Sequence, residues 1–89
     1  PVGSGISAGA TGNYIARNVV AGHRNGINIG VGGDNHIEAN KLSGNGYGIN
    51  FSTGTNNTYR DNILLGNSLG TLDGNGAASA IDGGGNIVP

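Results

Sequence analysis

Residues 35–51 read Asn35-His36-Ile37-Glu38-Ala39-Asn40-Lys41-Leu42-Ser43-Gly44-Asn45-Gly46-Tyr47-Gly48-Ile49-Asn50-Phe51. Shifting this stretch by 22 residues in either direction finds it again. Asn13, Asn35 and Asn57 keep that interval, as do Asn18, Asn40 and Asn62, and Gly22, Gly44 and Gly66. Gly26, Gly48 and Gly70 keep it too. Apolar positions follow: Ile15, Ile37 and Tyr59; Val20, Leu42 and Leu64; Ile27, Ile49 and then Thr71. Ile29 and Phe51 match, and Asp73 breaks their column. One unit is Asn-x-Φ-x-x-Asn-x-Φ-x-x-(His/Asn)-x-x-Gly-Φ-x-Φ, with Φ apolar. Self-similarity at a fixed period of this length is the mark of a repeat architecture.

Within a unit the apolar residues alternate, as in Ile27-Asn28-Ile29 and Ile49-Asn50-Phe51. Alternation of period 2 is the strand signature. No segment sustains a 3.6-residue period, and glycine recurs throughout, so helices are excluded. Glycine and asparagine separate the short runs, and both tolerate left-handed turn conformations. Short strands, turns and one fixed period predict a parallel β-solenoid in which residue i lies on residue i + 22, one coil away. Stacked asparagines at one bend can then bond each other and the neighbouring backbone. The Asn18–Asn40–Asn62 column is the predicted structural ladder. The interior should hold Ile15, Val20, Ile27, Ile29, Ile37, Leu42, Ile49, Phe51, Tyr59 and Leu64.

Composition agrees with thin layers rather than one thick core. The 89 residues include 20 glycines and 14 asparagines, but only 20 Val, Ile, Leu and Phe together. Charged residues are 10% and the net charge is −1, which excludes a polybasic nucleic-acid binder. With no cysteine there is neither a disulfide framework nor a thiolate metal site. No apolar run approaches the roughly 18 residues of a membrane span.

The run from Asn35 to Asn45, with Gly48-Ile49-Asn50-Phe51, resembles the right-handed parallel β-helix repeat of pectate-lyase-like proteins. The resemblance is close over 13–72 and loose over 5–12 and 73–89. It implies an all-β, right-handed parallel β-helix of about four coils with a 22-residue repeat. The superfamily holds polysaccharide lyases, glycoside hydrolases, alginate epimerases, tailspikes and non-catalytic surface proteins, so it specifies fold more than activity.

The chain reads as one β-helix domain or fragment, 1–89, regular over 13–72 and irregular over 73–89. Gly5-Ile6-Ser7-Ala8 repeats Gly26-Ile27-Asn28-Ile29 one coil earlier. The chain therefore starts in mid-coil, and further coils or another copy are expected at that open end. At the other end, Asn57 to Asn86 spans 29 residues, seven more than the period. Residues 73–80 read as an insertion, with a last partial coil from Gly83.

Stacking by 22 also places the chemistry. Glu38 lies over Arg60 with Ala16 below; Arg17 and Asp61 share a column with Ala39; His36 stacks with Tyr14 and Thr58; His23 stacks with Asn45 and Asn67. Glu38, Arg60 and Asp61 are the candidate catalytic residues, against the plainer reading of a surface ion pair. The five acidic residues are Asp34, Glu38, Asp61, Asp73 and Asp82, and no two share a column, as paired acid–base chemistry would want. Asp73 and Asp82, in glycine-rich runs, are the candidate metal residues. Calcium is the ion they suggest, though no nonapeptide repeat is sustained, and no other cofactor is expected. The histidines do not form a metal pair.

Two functions follow. The first is a structural or capping β-helix segment of an extracellular carbohydrate-associated protein, assembling end to end. The alternative is part of a polysaccharide lyase, glycoside hydrolase or uronate epimerase whose catalytic coils lie outside this chain. Under both, the 89 residues alone are expected to be inactive. Polysaccharide is the expected partner, with no nucleic acid and no membrane span. The location is extracellular, cell-surface or phage-associated.

Overall fold

The computed structural model describes residues 3–89. Its strands are β1 (Ser4–Ala8), β2 (Tyr14–Ala16), β3 (Val19–Val20), β4 (Asn25–Ile29), β5 (His36–Glu38), β6 (Lys41–Leu42), β7 (Tyr47–Phe51), β8 (Thr58–Arg60), β9 (Gly70–Asp73) and β10 (Ile81–Asp82). A 3-10 turn, Asn75–Ser79, joins β9 to β10. All pairing is parallel. One sheet runs β1-β4-β7-β9, a second runs β10-β8-β5-β2, and β3 and β6 form a short third. Bridges from Lys41 to Ile63 and from Ile63 to Ile87 extend the third sheet. The molecule is a β-solenoid of about four coils. Among the described residues no helix is long and apolar enough to cross a membrane.

The interior is a column of single side chains per face. Val20, Ile27, Ile29, Ile37, Leu42, Ile49, Phe51 and Leu64 are buried and form one cluster. Each such side chain contributes about 1.5–3 kcal/mol by leaving water. Ile15 and Tyr59 pack against the cluster but are only partly buried.

The period is not constant, which corrects four expectations. The β1–β4 register pairs Ile6 with Ile27, a step of 21 residues. The β4–β7 step is 22, pairing Ile27 with Ile49. The β7–β9 step is 23, because Ile49 pairs with Leu72 and Asn50 with Asp73. Leu72, not Thr71, therefore continues the Ile27–Ile49 column, and Asp73 joins Asn28 and Asn50 rather than breaking the Ile29–Phe51 column. Gly70 likewise pairs with Tyr47 instead of following Gly26 and Gly48. The physical cause is a bulge: the N–H groups of Leu69 and Gly70 both donate to the Gly46 carbonyl, at 2.8 and 3.2 Å. In the last coil Ile81 pairs with Thr58 and Ile87 bridges Ile63. Asn86 thus follows Asn62, 24 residues on, and is not the counterpart of Asn57.

Each coil turns at left-handed residues spaced by five. Gly12, Asp34 and Asn56 have φ of 79°, 56° and 58°; Arg17, Ala39 and Asp61 have 59°, 57° and 54°; Gly22, Gly44 and Gly66 have 84°, 72° and 72°. A ladder residue follows every one of them: Asn13, Asn35 and Asn57; Asn18, Asn40 and Asn62; His23, Asn45 and Asn67. The bend takes the backbone out of the sheet ladder, and the next side-chain amide replaces the lost partners. Ala39 is the poorest fit, since it lacks both the freedom of glycine and the polar side chain that eases this region. Ala39→Gly is expected to raise stability by about 0.5–1 kcal/mol, the relief of left-handed strain less the extra chain entropy of glycine. Thermal unfolding of the two proteins in parallel measures it.

Candidate functional site

The second sheet turns Ile15, Ile37 and Tyr59 inward, so their neighbours face out. Register places Tyr14 beside His36 and Thr58, and Ala16 beside Glu38 and Arg60. The Glu38 carboxylate collects the polar groups of three successive coils. The Tyr14 hydroxyl donates to Glu38 Oε2 at 2.8 Å. His36 Nε2 lies 3.2 Å from Glu38 Oε1 and Arg60 Nε 3.3 Å from the same oxygen. Arg60 Nε also reaches Asp61 Oδ2 at 3.4 Å. The Tyr14 and His36 rings stack, centroids 5.5 Å apart at 24°. Tyr14 stays 58% exposed, so its free face is open to solvent.

These contacts set the charge. The Tyr14 hydroxyl bond, then the His36 bond, hold the Glu38 carboxyl below its ordinary 4.5. The same bond to Glu38 raises the Tyr14 hydroxyl above its ordinary 10.0. Glu38 is depressed in the folded state, so its share of stability is present above about pH 4.5 and lost as pH falls below it. Tyr14 is raised, so its share is present below about pH 10 and lost as pH climbs above that. The cluster is therefore intact between those limits. Glu38→Gln should flatten both limbs of the stability–pH curve, because it removes the carboxylate they share. Urea midpoints from pH 3 to pH 11 check this.

The sequence columns bring Glu38 and Arg60 together, with Asp61 at the edge. Asp61 sits at the left-handed bend, and a Cβ on Gly85 would lie 1.9 Å from its Oδ1. Asp73 and Asp82 lie on different sheets. Asp82 Oδ1 accepts from Gly84 N at 2.9 Å and from Asn86 Nδ2 at 2.8 Å. His23 lies in the turn between β3 and β4, where its backbone N–H donates to Asn45 Oδ1 at 3.1 Å. Among the described residues no three His, Cys, Asp or Glu form a group able to hold a metal. Tyr14 is the member that column reading missed, because its hydroxyl crosses diagonally to Glu38, 24 residues away. The exposed aromatic beside a charged column was the available signal.

The asparagines run in series along the solenoid. Asn40 Oδ1 accepts from Asn18 N at 2.9 Å and Asn18 Nδ2 at 3.1 Å. Asn40 Nδ2 donates to Ile15 O at 3.0 Å and to Asn62 Oδ1 at 3.1 Å. Asn62 passes the chain on to Asn86 at 3.1 Å. Asn13, Asn35 and Asn57 form a second series. Asn45 and Asn67 continue a third beneath His23. Among the described residues, Asn25 Oδ1 is buried without a hydrogen-bond partner.

Residues 2–83 match the family model described as NosD, periplasmic copper-binding protein (NosD). No curated protein and no solved structure gives a significant match.

Proposed function

This chain belongs to the NosD family, and on that premise we propose that its coils are a structural segment of a periplasmic or cell-surface protein, carbohydrate-associated and free of catalysis of its own. The observation that carries this reading is the commitment of its polar groups. Glu38 already has three partners, on its own strand and on the coils either side. Asn40 has filled both acceptor and both donor positions. Groups held in this way fasten coil to coil and leave little to move a substrate proton. Asn40 and Asn62 each accept from the coil before and donate to the coil after, so a coil bearing asparagine at that position extends the series. That polarity supports a capping or end-to-end role, with further coils or another copy as the partner.

The test is incubation with polygalacturonate and alginate, followed by assays for unsaturated and reducing ends and for epimerised residues. No product is expected. Turnover that disappears in Glu38→Gln would overturn the structural reading.

A second reading is favoured by the open Tyr14 ring beside the Glu38–Arg60 pair. An aromatic face flanked by a carboxylate and a guanidinium suits a sugar ring, and the same sheet would then be a polysaccharide contact of a lyase, hydrolase or epimerase with its catalytic coils elsewhere. Retention on an alginate or pectin matrix, lost in Tyr14→Ala, distinguishes it.

Copper, which the family description names, does not fit the donors present. There is no cysteine and no methionine, so the soft ligands of copper(I) are missing. Imidazole and carboxylate could serve copper(II). The two histidines lie apart, however, His36 on β5 and His23 in a bend, and the carboxylate beside His36 is held by Arg60.

A further inference from the structure

We infer that these coils exclude copper, and that the Arg60 guanidinium does so by occupying the place at Glu38 where a cation would sit. Glu38 Oε1 is within reach of both an imidazole on its own strand and a guanidinium of the next coil. His36 Nε2 stands 3.2 Å from it and Arg60 Nε 3.3 Å. Tyr14 holds the other oxygen at 2.8 Å. Without Arg60 this is an imidazole, a carboxylate and a phenol on one open face, a hard nitrogen–oxygen set of the kind copper(II) accepts. With Arg60 the same face carries a fixed positive charge that competes with a metal for the carboxylate and repels it electrostatically. Asp61 Oδ2 shares the same guanidinium nitrogen at 3.4 Å. The second histidine gives no help, since His23 belongs to a different bend and no third ligand joins it among the described residues. Copper handling in this family therefore does not run through this chain's own side chains.

Position 60 makes the inference testable by gain as well as by loss. Arg60 is exposed and its register partner is Glu38, so a histidine there sets a second imidazole beside the Glu38 carboxylate without touching the core. The probe is copper(II) chloride, added in one equivalent and then passed through a desalting column in glycine buffer. Retained copper is measured by atomic absorption and its ligand field by electron paramagnetic resonance. The unsubstituted protein should retain less than about 0.1 equivalent, and Arg60→His about one equivalent with nitrogen hyperfine structure. Arg60→Ala should fall between them. Circular dichroism confirms that each variant keeps its strands.

One equivalent retained by the unsubstituted protein and lost in His36→Gln would overturn the inference. So would a failure of both Arg60 variants to gain copper, since the guanidinium would then not be what excludes it. These outcomes leave the structural reading above untouched, because turnover of polysaccharide is read separately.

Discussion

Asn62→Ala is expected to lower the free energy of unfolding by about 3–4 kcal/mol, among the larger effects of any single substitution in this chain. Asn62 is 0% exposed. Its Oδ1 accepts from Asn40 N at 2.9 Å and from Asn40 Nδ2 at 3.1 Å. Its Nδ2 donates to Ile37 O at 3.0 Å and to Asn86 Oδ1 at 3.1 Å. Alanine removes all four bonds at once, strands the Asn40 N–H in a dry interior and takes the side-chain donor away from the Ile37 carbonyl. A buried donor or acceptor left unpaired costs about 1–3 kcal/mol. Asn18→Ala should cost only about 1 kcal/mol, because Asn18 is half-buried and its donors can turn to water. Urea unfolding of the two variants measures the difference. Asn62→Asp adds a distinct signature. The carboxylate keeps both acceptor roles but meets the Ile37 and Asn86 oxygens without a proton to give. Its loss should shrink on acidification, as the new group takes up a proton in the fold.

The core and most of the candidate site were legible because a solenoid turns sequence distance into spatial contact. Reading residue i against i + 22 put Ile27 on Ile49, Ile37 on Tyr59 and Glu38 on Arg60, as the strand registers have them. It failed where the step changes. The bulge at Leu69 and Gly70 adds one residue but leaves Asn67 in its ladder, so the shift emerges only afterwards. Leu72 beside Thr71 was the sign that the apolar column had moved by one. The tail was harder. The 3-10 turn at Asn75–Ser79 and the wider steps to Ile81 and Asn86 carry no periodic marker, so Asn86 was matched to the wrong asparagine column. The Tyr14–Glu38 bond was hidden for a different reason: it joins neighbouring columns, and a column search sees only vertical neighbours. The outer series Asn35–Asn57 and Asn45–Asn67 lay in the same alignment as the Asn18 ladder. Their left-handed predecessors, five residues apart, explain why asparagine recurs three times per coil.

Gly54→Ala is the second large effect, and it rests on a column that the period also contains: Ala10, Gly32, Gly54 and Gly76. A Cβ at Gly54 would lie 1.9 Å from the Gly32 carbonyl oxygen and 2.7 Å from its carbon. A Cβ at Gly32 would lie 1.9 Å from the Ala10 oxygen, and one at Gly76 would lie 2.9 Å from Gly54 O. The obstacle is backbone in every case, so no rotamer change clears it. Coils a strand spacing of about 4.8 Å apart have no room to part at one corner without breaking ladder bonds at the others. Gly54→Ala should therefore cost about 3 kcal/mol or more, as an overpacked site with rigid neighbours. Gly66→Ala is the matched control. Gly66 has φ of 72° and nothing within 4 Å of the added carbon, so only left-handed strain opposes alanine there. That strain is about 1–2 kcal/mol. Chemical denaturation of both variants separates the two mechanisms, because the first is a collision between coils and the second a cost within one residue. Equal losses would mean that the corner at Gly32, Gly54 and Gly76 gives way, and that coil spacing is set by the asparagine ladders instead. A larger loss at Gly54 would make backbone contact at this corner the element that fixes the pitch.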